Sequence, residues 1–228
     1  MADPRIAPLA SLSELFRLAR HFEFRAVSRW VVFGVLVGAS AGALAGALFI
    51  GADWVQHWVL GEGAGLHPPA PRGEPPIFGE AGQGPIRLWV LVLAPAVGAL
   101  LCGMLLHYVC PQAKGGTDGY ITAFHQQRAV VPKRLAWVKL VASAIFLGFG
   151  SSAGREGPIA HIGSAVGTWF GRLFKLGNRD RRLLLVAGAA GGIGAIFRTP
   201  LGGALFAVEV LYRDDFEVDA LVPAVLSS

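Results

Sequence analysis

Residues Trp30 to Ala52 form an unbroken stretch without a charged side chain, bounded by Arg29 and Asp53. A helix needs roughly 20 consecutive apolar residues to cross the hydrocarbon of a bilayer, and this run meets that length. It starts too late and runs too long for a cleavable signal peptide. A second run, Leu88 to about Tyr108, has the same character. Only 15% of the 228 residues are charged, against about a quarter in soluble domains, and those charges are clustered. A soluble enzyme is therefore excluded, and 54% hydrophobic residues exclude disorder. The class that remains is an all-α, polytopic integral membrane protein.

Charge places the loops. The net charge of +5 reads as cytoplasmic Lys and Arg, not as a nucleic-acid surface. Leu12 to Val27 reads as an amphipathic helix rich in Arg and Phe, lying at the cytoplasmic interface. This divides the chain into residues 1–29, a cytoplasmic or interfacial N-terminal helix, and residues 30–228, the membrane domain. Gly61 to Gly84, with Glu62, Glu74 and Glu80 against Arg72, reads as an external loop. Lys114, Arg128, Lys133 and Arg134 return the next loop inside, and Arg172, Lys175, Arg179, Arg181 and Arg182 mark another cytoplasmic loop. The expected location is the plasma (inner) membrane with the N-terminus cytoplasmic.

Within the first span Gly34, Gly38, Gly42 and Gly46 recur at every fourth position, which puts four glycines on one helix face as a packing ridge. The glycines of Gly188 to Gly194 read as close helix packing too, since no phosphate-loop ending follows them. Trp30, Trp54, Trp58 and Trp89 lie near span ends, as interfacial Trp does. Cys102 and Cys110, and the dispersed His57, His67 and His107, have no metal or disulfide spacing. No metal, no cofactor and no enzymatic nucleophile–base pair is expected.

From residue 140 onward the uncharged runs shorten to Leu140–Gly154, Gly157–Gly171, Leu183–Phe197 and Thr199–Val208, with glycines and prolines between them. Short interrupted apolar segments mark broken or re-entrant helices that end inside the membrane. Such ends are tolerated only beside protein or a wet cavity, which points to a transport path. Pro158 suits the first helical position, with Gly157 as its N-cap. The free N–H groups and positive dipole of that helix start form an anion site. Glu156 places a carboxylate at the same end, where it can occupy the site until a free anion or a proton displaces it. An ionisable residue between two membrane runs is a functional candidate by default. His161, five residues on, reads as a packed helix residue.

Gly154-Arg155-Glu156-Gly157-Pro158 is identical to the GREGP signature of the CLC family of chloride channels and proton/anion exchangers, and the flanking residues resemble it too. A second block, Gly191 to Glu209 with Phe197, Pro200, Leu201, Gly203, Leu205 and Phe206, is similar to the family's Gly-rich segment. The order and spacing of the two blocks also fit. The resemblance implies one of the two inverted repeats of a CLC-type fold, a homodimer in the complete protein, and a chloride or similar small anion as substrate. It implies that Glu156 is the gating glutamate and proton acceptor. The backbone of Gly154, Arg155, Glu156, Gly157 and Pro158 would hold the outer anion.

Three departures qualify these expectations. The family's G-S-G-I-P motif is matched only by Lys114 to Tyr120, which lacks the serine. Gly115, Gly116 and Thr117 are the candidate anion contacts there, and Asp118 reads as the N-cap of a helix Gly119–Gln127, offset by Lys114. After Phe206 the acid Glu209 is followed by Val210 where exchangers often place a second acid, which leans towards a channel. The resemblance covers only the first half of the family, so the chain is expected to be truncated at its C-terminus. The competing expectation is a non-conducting fragment, or a subunit that needs a partner half.

Overall fold

The fold comes from a computed structural model that describes residues 12–66, 77–78, 85–111, 115–126, 129–211 and 218–228, with backbone alone for 12–28 and 218–219. Among the described residues every regular element is helical: α1 (Leu12–Gln56), α2 (Leu88–Val109), α3 (Thr117–His125), α4 (Lys133–Gly148), α5 (Glu156–Leu173), α6 (Asn178–Phe197), α7 (Pro200–Glu209) and α8 (Val218–Ser227).

Helix α1 runs without a break through both the expected interfacial segment and the first span. At 1.5 Å per residue it is about twice the thickness of the hydrocarbon. The amphipathic character of residues 12–27 and the structure of residues 1–11 lie outside the described residues. The helix continues past Ala52 and ends in a wider π-helical turn, His57–Gly63, so Glu62 sits on a helix end and not in a loop. Asp53 then accepts hydrogen bonds from the Ile77 (2.9 Å) and Phe78 (3.4 Å) N–H groups. Arg72, Glu74 and Glu80 lie outside the described residues, as do Lys114 and Arg128.

Two helices are long and apolar enough to cross a membrane, Arg29–Gly63 and Leu88–Val109. Helix α2 coincides with the second expected span and keeps most of its apolar side chains exposed, Leu88, Val92, Leu100 and Met104 among them. Pro95 inside it removes one backbone donor, and the Ser151 hydroxyl donates to the Pro95 carbonyl (3.5 Å).

Helix α6 is the centre of the bundle and packs on α1, α5, α7 and α8. Its residues Leu183 to Gly194 are all buried. Lipid is as apolar as Leu, so burial alone cannot drive this packing; close van der Waals approach must. Glycines supply that approach. A Cβ on Gly163 or Gly167 of α5 would collide with the Gly188 or Leu184 carbonyl of α6, so the two helices cross backbone on backbone. On the α1 ridge, Gly34 and Gly38 lie against Leu226 and Ser227 of α8, and Gly42 lies 3.3 Å, as a built Cβ, from the Ala195 Cβ of α6. Gly46 has open space and packs on nothing within reach.

Candidate functional site

Two helix beginnings meet at one cavity. A Cβ built on Gly157, in the first turn of α5, would lie 3.0 Å from the Gly116 Cα and from the Thr117 nitrogen at the start of α3. Only glycine lets these two chain segments touch backbone to backbone. Gly115 sits at φ +84°, a left-handed conformation that turns the chain into α3. Around the contact lies a cavity of about 560 Å³. Gly115, Gly116 and Thr117 form one wall; Ala153, Gly154, Glu156, Gly157 and Pro158 form the second. Lys139, Ala142, Ser143, Phe146 and Leu147 of α4 and Cys102 and Leu106 of α2 complete it.

Each helix start carries a positive partial charge and N–H groups without intrahelical partners. The Glu156 carboxylate folds back over Gly154, so closely that a Cβ on Gly154 would overlap its Oε2. Glycine at 154 is what gives the carboxylate room to lie there. The described geometry thus brings together seven of the eight residues expected at the anion site. The eighth, Arg155, does not line the cavity; its guanidinium lies over the Phe49 ring at 5.3 Å.

Both helix starts come earlier than the sequence indicated. The N-cap of α5 is Arg155, not Gly157, and the helix begins at Glu156. Pro158 is then its third residue, still inside the first turn where a missing N–H costs nothing. The N-cap of α3 is Gly116, and Asp118 is its second helical residue. No side-chain cap bond forms at that end. Asp118 is exposed and favours the helix through its charge near the positive end. Both errors have one cause: Gly and Asp are good N-caps in isolation, but the close approach of Gly116 to Gly157 sets where each helix can begin.

Long-range bonds hold α3 in place. The Tyr120 hydroxyl, fully buried, donates to the Ala207 carbonyl of α7 (2.7 Å). His125 Nε2 lies 3.1 Å from the Leu211 carbonyl.

Lys139 is the main residue that sequence reasoning missed. It is 6% exposed, and its ammonium group donates to the Gly115 carbonyl at the mouth of α3. A positive charge is thereby fixed on the cavity wall. The signal was present: one lysine in the otherwise uncharged stretch Leu135–Gly154, a position that treating Lys139 as the edge of an apolar run had hidden.

The family model described as voltage gated chloride channel matches residues 98–228, more than half of the chain and every residue that lines the cavity. The chain belongs to the voltage gated chloride channel family. Among curated members it is 28% identical over 202 residues to a chloride/fluoride channel protein of Pseudomonas syringae pv. tomato, covering 89% of this chain and 39% of that protein. It is 38% identical over 127 residues to the H(+)/Cl(-) exchange transporter ClcA of Vibrio cholerae, covering 54% of this chain and 27% of that one. Two solved structures share the fold at 23% identity: a slow cyanobacterial Cl-/H+ antiporter (TM-score 0.59, 89% of this chain and 44% of that chain) and a CLC-type fluoride/proton antiporter (TM-score 0.64, 90% and 45%). The chain thus spans less than half the length of these family members. The polytopic all-α fold of the CLC family is the fold of this chain.

Proposed function

We propose that the protein passes chloride or a similar small anion across the membrane through the cavity between α3 and α5, with Glu156 as its gate. The observation that carries this reading is the meeting of two helix N-termini at one cavity with a carboxylate folded over it. The free N–H groups of Glu156 and Gly157 and those at the start of α3 attract an anion, and Lys139 adds a full positive charge. The deprotonated Glu156 competes for the same place. Protonation or a displacing anion releases it and opens the path. The Thr117 hydroxyl stands on the cavity wall and takes the role of the absent serine.

Val210 after Glu209 favours passive conduction over proton-coupled exchange. The named relatives include both a channel protein and an exchange transporter, and their names support a halide in either case. The proposed setting is the plasma (inner) membrane with the N-terminus cytoplasmic, residues 30–228 as the membrane domain, and a homodimer in the complete protein. The test is anion efflux from proteoliposomes, beside a Glu156→Gln variant. The reading expects efflux whose dependence on external pH is steep in the native protein and flat in the variant, because the amide cannot be titrated. Equal pH dependence in both would contradict a gate at Glu156.

A further inference from the structure

We propose that the groove between α1, α4 and α5 binds an anionic phospholipid, with an acyl chain along the groove and the phosphate on the Lys133 ammonium. The groove shares no lining residue with the anion cavity, so the inference stands independently of a gate at Glu156.

The three helices pack on one another in pairs and leave a furrow of about 460 Å³ between them. Ser40, Ala43 and Leu44 of α1 and Lys133, Ala136 and Trp137 of α4 line it, each set at the i, i+3, i+4 spacing of one helix face. Ala136 is buried, as are Ala165 and Val166 of α5, and these small side chains make the floor. The rims are aromatic: Trp137 is 60% exposed, and Trp169 of α5 is exposed as well. Small residues between two projecting indoles leave a slot. Its lining is apolar apart from Ser40 and Lys133.

Lys133 gives the groove its polarity. Its Nζ lies over the Trp169 ring, 4.7 Å from the centroid. Among the described residues no carboxylate pairs with it. The helices around the groove offer none: α4 contains no acid, α1 has none from Trp30 to Ala52, and the acid of α5, Glu156, stands at the other end of that helix on the anion cavity. Arg134 follows in the same turn of α4, and Arg172 lies one turn beyond Trp169; both are exposed. The mouth is thus basic and the trough apolar.

That is the division of a phospholipid, an anionic phosphate joined to a hydrocarbon chain. Indoles suit the boundary between the two parts, and a lysine lays its stem against hydrocarbon while its charge meets phosphate. An uncharged lipid or an apolar helix laid in the groove would cover the ammonium without bringing a counter-charge, which is costly in lipid. An anionic headgroup brings that charge.

The test follows quenching of tryptophan fluorescence by brominated lipid, with the protein in phosphatidylcholine vesicles. Dibrominated phosphatidylglycerol and dibrominated phosphatidylcholine with identical chains are titrated separately, and a W137F/W169F variant isolates the groove's share of the signal. Half-maximal quenching of that share is expected at a mole fraction about tenfold lower for phosphatidylglycerol than for phosphatidylcholine. K133Q is expected to cut this preference to about twofold and to leave quenching by phosphatidylcholine unchanged, which also shows that the variant folds with its groove open. Equal quenching by both lipids in the native protein overturns the proposal, because the groove then takes lipid without regard to charge. A full preference in K133Q overturns it too. No quenching of Trp137 and Trp169 by either lipid overturns it in favour of a protein cover, from a further chain segment or a second copy. Loss of the preference in excess inorganic phosphate at constant ionic strength assigns the site to a soluble anion and also overturns it. Should W137F/W169F fail to fold, total quenching of the native protein against that of K133Q decides between the same outcomes.

Discussion

Helices α2 and α6 have similar lengths, and both are apolar over most of their course, yet they answer to different neighbours. Helix α2 leaves Leu88, Val92, Val97, Leu100 and Met104 exposed, as a helix suited to lipid does. Helix α6 buries every residue from Leu183 to Gly194 against four other helices. The side chains follow from this. Large, featureless apolar residues suffice where lipid is the partner, whereas protein partners in lipid need small residues that let backbones touch. The candidate cavity uses the same device at a smaller scale, since Gly116 and Gly157 let the starts of α3 and α5 touch. That contact leaves the N–H groups of two helix starts beside a shared space.

The comparison can be broken first at the glycines. Gly167→Leu would drive a side chain into the Leu184 carbonyl, where a single Cβ already collides. Overpacking of an adaptable core costs about 1–3 kcal/mol, and a backbone crossing cannot adapt, so no stably folded protein is expected. Size-exclusion profiles in detergent would check this; a monodisperse variant at native yield would mean that the crossing is not what holds α5 to α6. A smaller effect is expected at the cavity. Lys139→Met leaves the Gly115 carbonyl without its charged donor and removes the positive charge from the wall. The expected loss is about 2 kcal/mol of stability in denaturant titration, with anion affinity lowered about tenfold. The smallest effect belongs to the exposed face of α2: Leu100→Ala, at a position 62% exposed, should shift stability by no more than about 0.5 kcal/mol. A loss as large as that of Lys139→Met would show that α2 has a protein partner on that face.

How much of this was legible in the sequence differs along the same divide. The spans of α1 and α2 were readable from hydropathy, because lipid imposes one simple requirement on all of their length. Pro158, Glu156 and the flanking glycines marked a helix start with a carboxylate, and the resemblance at Gly154–Pro158 led to the family. Both N-caps were misplaced by two residues because local cap preferences do not include the contact of Gly116 with Gly157. Lys139 was overlooked because a lone charge at the edge of an apolar run looks like a boundary until the fold turns it inward. Gly46 continues the period of the α1 ridge without a partner, which shows that a repeat in sequence marks a face and not the length of its contact. The continuity of α1 was hidden by Arg29, a charge that ends an apolar run without ending a helix; it pairs with Asp180 of α6 at 3.7 Å.

The central claim is that the starts of α3 and α5 enclose an anion, and the most direct measurement is the location of that anion. Crystals of the Glu156→Gln variant grown in bromide would be examined by anomalous scattering at the bromine edge. A bromide peak within hydrogen-bonding reach of the Gly157 and Thr117 nitrogens, weakened in the native protein by the competing carboxylate, is the predicted result. Bromide bound elsewhere in the membrane region, with the space between Gly116 and Gly157 empty at saturating bromide, would contradict the account.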